Sequence, residues 1–71
     1  MKTLNYREYN LNLFPQTNGY NFELRKNGNF ICSGIYTPSS VDHFQVSDHG
    51  LGEKSLQIFD KESQCITDIN F

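Results

Sequence analysis

Two runs of alternating apolar and polar residues meet at Asn27-Gly28, and that junction restricts the fold more than anything else in the chain. Tyr20, Phe22 and Leu24 alternate with Asn21, Glu23 and Arg25, the period of a strand with one face on a core and the other on water. Asn-Gly supplies the two consecutive positive-φ positions of a type I′ turn. A strand over residues 20–26 therefore returns antiparallel as a second over 29–36. A two-residue loop sets Lys26 opposite Asn29 and Leu24 opposite Ile31. On that parity Ile31, Ser33 and Ile35 join the face of Tyr20, Phe22 and Leu24, while Phe30, Cys32 and Tyr36 form an apolar row on the other side.

Upstream, Tyr9, Leu11 and Leu13 alternate with Asn10 and Asn12, which predicts a first strand over about residues 6–14. Pro15 ends it because proline cannot donate to a ladder, and the residues up to Gly19 supply a turn. Downstream the period changes. Thr37-Pro38-Ser39-Ser40 is a turn cluster, residues 41–46 fit a helical turn or an irregular connection equally, and Ser47 to Gly50 is a second loop. Leu51, Ser55, Ile58 and Phe59 then recur at helical spacing, predicting a one-sided helix over 51–62 capped by Ser47 or Asp48. A hairpin competes for the same residues, since Leu56-Gln57-Ile58 alternates and so do Cys65, Thr67, Ile69 and Phe71. The fold class expected is thus α+β in a single small domain: a three-stranded antiparallel meander with one C-terminal helix packed on one face. The alternative is all-β with a C-terminal hairpin.

Tyr6-Arg-Glu-Tyr9, Asn18-Gly-Tyr20, Asn27-Gly28, Ser33-Gly34 and Ile58-Phe-Asp60 together resemble the signature of small bacterial domains of unknown function, common in cyanobacteria. In those domains a Y-R-G-Y motif opens the first strand and an alanine-rich helix closes the unit. The resemblance spans about residues 6–60 and implies a ββ(β)α fold with no assigned activity or catalytic residues. This chain departs from it at Glu8, where glycine is usual, and in a helix segment that contains no alanine.

Chain length and charge narrow the function classes. A chain of 71 residues buries only about 60% of the surface of its unfolded form, enough for one core and too little to wall off a catalytic pocket as well. Residues 1–36 carry Lys2, Arg7, Arg25 and Lys26 against Glu8 and Glu23; residues 37–71 carry Lys54 and Lys61 against six acids. The first half is basic by two charges and the second acidic by four, so a phosphate-neutralising patch would be small and nucleic acid is disfavoured as a partner. No stretch approaches the about 18 apolar residues of a membrane span, and the expected setting is a soluble, cytoplasmic one. Cys32 and Cys65 match neither zinc spacing nor a redox pair and read as small hydrophobes.

The chemistry-bearing residues are dispersed. Asp42-His43 and Asp48-His49 could converge on a metal only if the intervening loop folded back, and the expectation is solvated histidines with no metal and no cofactor. Ser33, Ser39, Ser40 and Cys32 lack the context of a nucleophile, so no catalytic residue is assigned. Gly50-Leu-Gly-Glu-Lys-Ser55 lacks the frame of a phosphate loop. Tyr20, Phe22 and Phe30 near Arg25 and Lys26 have the composition of a platform for single-stranded nucleic acid, but hairpin parity divides them. The expected function is non-catalytic: association with a protein partner or with itself through Phe30, Cys32 and Tyr36.

Overall fold

The computed structural model describes residues 1–37 and 40–71, with the main chain alone at 66. Among these residues seven strands follow in order: β1 (Lys2–Tyr6), β2 (Tyr9–Gln16), β3 (Gly19–Lys26), β4 (Asn29–Tyr36), β5 (His43–Gly50), β6 (Glu53–Phe59) and β7 (Cys65–Asn70). They form two antiparallel meanders, β1-β2-β3-β4 and β5-β6-β7. Their inner faces share one core of Tyr9, Leu11, Leu13, Phe22, Leu24 and Tyr36 from the first sheet and Phe44, Leu56 and Ile58 from the second, with Val41 between. β1 lies against β5, where the Tyr6 and Phe44 rings meet at 5.9 Å and Lys2 Nζ donates to the Val41 carbonyl at 3.2 Å.

The chain is all-β among the described residues, which corrects the α+β expectation. Residues 51–62 contain no helix. Leu51-Gly52 is a two-residue turn with φ of 54° and 79°, and β6 follows it with Leu56 and Ile58 fully buried. The helical spacing depended on Leu51, the most exposed large apolar residue among those described. A period of two over β6, satisfied against both β5 and β7, decides the conformation. Ser47 and Asp48 are not helix caps but part of β5, and residues 43–46 are strand as well.

The first strand is two strands. Arg7-Glu8 makes a tight turn with Arg7 at φ 53°, so β1 pairs back on β2 from Tyr6↔Tyr9 to Lys2↔Leu13. Pro15 does not end β2, because β1 stops pairing at Leu13 and no neighbour on that side needs its missing N–H. The reversal into β3 needs Gly19, at φ 95°: a Cβ there would sit 2.2 Å from the Tyr36 carbonyl oxygen. The loop into β7 is built on Asp60, whose Oδ1 accepts from the amides of Glu62 at 2.9 Å and Gln64 at 3.0 Å.

β4 spans the residues that its sequence implies and turns at Asn27-Gly28 with φ of 50° and 85°. Its register differs. Lys26 pairs with Asn29 and Arg25 with Phe30, but Leu24 pairs with Cys32, leaving Ile31 as an inserted residue. This bulge reverses the parity beyond it, so Cys32, Gly34 and Tyr36 turn inward and Ser33 and Ile35 outward. Gly34 is opposite Phe22, whose ring end lies 2.8 Å from where a Cβ would be; the glycine leaves the room that the ring occupies.

Candidate interaction edge and the polar faces

The expected row of Phe30, Cys32 and Tyr36 is divided by the bulge. Phe30 is 55% exposed, beside Arg25 on the outer face. Cys32 is half-buried against the core, and burial pushes its thiol pKa up. Tyr36 is fully buried, donates to the Ser40 carbonyl at 3.2 Å, and its phenol is pushed up by burial and then by Asp60. In place of that row the outer face presents Phe30 and Ile35, the latter 71% exposed. Ile35 was hidden from sequence reasoning because the bulge has no compositional signal, although both faces of residues 29–36 are visibly apolar.

β4 ends its sheet and has one strand neighbour. Of the four terminal strands, β1 is five residues long and carries Lys2, β5 carries Asp48, β7 is six residues long and carries Asp68, and β4 has eight residues with no charge at all. Charge, brevity and cover are the devices by which natural sheets keep their edges from pairing. β4 has neither charge nor brevity and, among the described residues, no second strand along its free side; it has a bulge at one end.

The rest of the first sheet's outer face is closed by its own side chains. Thr3 Oγ1 donates to Asn12 Oδ1 at 2.9 Å, Asn12 Nδ2 to Glu23 Oε1 at 3.3 Å, and Arg25 Nε to the same carboxylate oxygen at 2.6 Å. Arg25, then Asn12, hold the Glu23 carboxyl below its usual range. Arg25 also donates to the Gly28 carbonyl at 2.8 Å, and Lys26 is 3.8 Å from Glu8 while its Nζ lies over the Tyr9 ring. The basic residues that a nucleic-acid platform would use are thus partly matched within the sheet.

On the second sheet Gln57 organises the outer face. Its Oε1 accepts from Ser47 Oγ at 2.8 Å and Gln45 Nε2 at 3.2 Å, and its Nε2 donates to Ser55 Oγ at 2.5 Å and Asp68 Oδ1 at 3.2 Å. Ser55 Oγ is also 2.7 Å from His49 Nε2. A serine within reach of an imidazole is the first requirement of an activated nucleophile, but Ser55 is fully buried and occupied by Gln57. Beside it lies an open cleft of about 510 Å³ lined by His49, Glu53, Asn70 and Phe71.

The two histidines do not converge. His43 Nδ1 is 2.8 Å from Asp42 Oδ2 and its ring stacks on Phe59 at 4.5 Å, whereas His49 is held by Ser55. Among the described residues no three of His, Cys, Asp and Glu are grouped as a metal site would require. Ser33 is exposed on β4, the Ser40 main-chain carbonyl accepts the Tyr36 hydroxyl, and Ser39 lies outside the described residues. Lys54 and Ser55 are in β6, so Gly50 to Ser55 forms a hairpin and not a phosphate cradle. No described helix is long and apolar enough to cross a membrane.

No family model, curated protein or solved structure matches the chain. The resemblance to small bacterial ββ(β)α domains is accordingly withdrawn: its motifs lie here on hairpins, and the closing helix it requires is β6.

Proposed function

We propose that this chain is a non-catalytic association module that binds a protein through the β4 edge, with Phe30 and Ile35 as the apolar contacts. The observation that carries the reading is the contrast between β4 and the other terminal strands. It is the long, uncharged one, and among the described residues it is the terminal strand that presents exposed large apolar side chains, Phe30 and Ile35. An extended segment laid along such an edge gains main-chain hydrogen bonds, and alternate side chains supply specificity. The test is capture of binding partners by wild type, Ile35→Lys and Phe30→Asp, with Gln45→Lys on the second sheet as control. Partners lost from both edge variants and kept by the control support the reading; partners lost only from the control overturn it.

A second reading, single-stranded nucleic acid on the aromatic and basic part of the same sheet, is favoured by the pairing of Arg25 with Phe30 and by Arg7 and Lys26 at the same end. It ranks second because Arg25 and Lys26 each have an acid close by. Binding of a labelled oligonucleotide that weakens with salt and with Arg25→Glu would promote it.

A further inference from the structure

We infer that the occupant of the β4 edge is β4 of a second copy of this chain, running antiparallel about a twofold axis at Gly34. The inference rests on the reading of β4 as the association edge and names its partner. Beyond the bulge, residues 32–36 pair regularly with β3, with Gly34 opposite Phe22. Counted from the two-residue Asn27-Gly28 turn through the bulge, ladder alternation turns the main-chain groups of Ser33 and Ile35 to the free edge. A twofold at Gly34 then sets Ser33 opposite Ile35 of the second copy and Ile35 opposite its Ser33, so both residues use their N–H and C=O in both directions.

Three further features fit this partner. At the axis, where an antiparallel non-hydrogen-bonded pair brings chains closest, stands a glycine. No residue of β4 is charged, so no register of the pairing opposes like charges or buries one at the seam, whereas β1, β5 and β7 each bring a charged side chain, Lys2, Asp48 or Asp68, to any new edge pairing. The twofold stands perpendicular to the sheet and keeps its faces, so Ile35, 71% exposed in one chain, comes diagonally across from Ile35 of the second copy on the outer face, within reach of a long side chain. The result is one continuous eight-stranded sheet.

Sedimentation over roughly 5 to 500 μM checks the mass action expected of a dimer. Wild type should dimerise, and isotope-filtered NOEs should join Ser33 to Ile35 between chains. Ile35→Lys should weaken association at least about tenfold while leaving circular dichroism unchanged, because the side chain is exposed and an edge lysine opposes pairing. Raising salt should not dissociate the dimer, since no ion pair holds it. A wild type that stays monomeric overturns the second copy; if Ile35→Lys nonetheless loses captured partners, the edge reading survives with a foreign strand as occupant. A dimer that Ile35→Lys leaves intact overturns the twofold and the edge reading together.

Discussion

The turn from β3 to β4 and the turn from β5 to β6 have nearly the same backbone. Asn27-Gly28 takes φ of 50° and 85°, Leu51-Gly52 takes 54° and 79°, and neither glycine has anything within 4 Å of a notional Cβ. Both close with two residues between paired strands, Lys26↔Asn29 and Gly50↔Glu53. They differ in the first residue, and in the residue before it, where Gly50 is itself at φ 84° beyond a register shift and Lys26 is ordinary strand. Asparagine tolerates left-handed backbone because its short amide bonds locally, whereas leucine gains nothing from it and here is fully exposed. The second hairpin therefore forms against its local preference, held by what lies behind it: Leu56 and Ile58 in the core and the Gln57 network on the outer face. One hairpin is specified at its tip, the other along its strands.

The largest expected effect contrasts these open tips with the packed one. Gly19→Ala should destabilise by about 3 kcal/mol or more, because the added methyl meets the Tyr36 carbonyl and the φ is unfavourable at once. Gly52→Ala should cost only the conformational part, about 1 kcal/mol. Urea unfolding of both separates clash from backbone strain, and equal values would remove the distinction. Next comes Gly34→Ala, expected to cost about 1 to 3 kcal/mol by driving into the buried Phe22 ring. Part of that cost should return in the Gly34→Ala/Phe22→Leu double variant, measured as a coupling energy.

Exchanging the tips tests the comparison itself. Leu51→Asn should stabilise by about 0.5 to 1 kcal/mol, and Asn27→Leu should destabilise by a similar amount. A Leu51→Asn variant less stable than wild type would show that the leucine is held by contacts the isolated chain does make. The smallest effect is electrostatic. The Glu23 carboxyl lies below its usual 4.5, so its contribution is complete above that pH and is lost as pH falls through the lowered folded value. The stability difference between wild type and Glu23→Gln should stay level from neutrality down to about pH 4.5 and close below it.

The legibility of the sequence follows the same contrast. Asn27-Gly28 announces its turn, and the strands on either side keep the bounds that their alternation implies, within one residue. Arg7-Glu8 and Leu51-Gly52 announce nothing, because each places an ordinary side chain at positive φ and relies on long-range pairing to hold it there. At the first, two strands read as one; at the second, a hairpin read as a helix. The candidate site failed at one residue. Ile31 is apolar on a strand apolar on both faces, so inserting it leaves the pattern unchanged while exchanging Tyr36 for Ile35 on the outside. Phe30, which precedes the bulge, is the one expected contact residue that stays exposed.

Every strand pairing among the described residues joins neighbours in sequence, five hairpins in two groups, and no strand of one group pairs with a strand of the other. The consequence is kinetic. Closing a hairpin of this size loses little loop entropy, so each meander can zip from its own turns without waiting for the other. The late event is the docking of one finished sheet on the other, where Tyr6 meets Phe44 and Tyr9 meets Phe71. Such a chain belongs at the fast end of all-β folders, and its rate should respond more to changes in the turns than to equal losses of stability at the sheet-to-sheet contact.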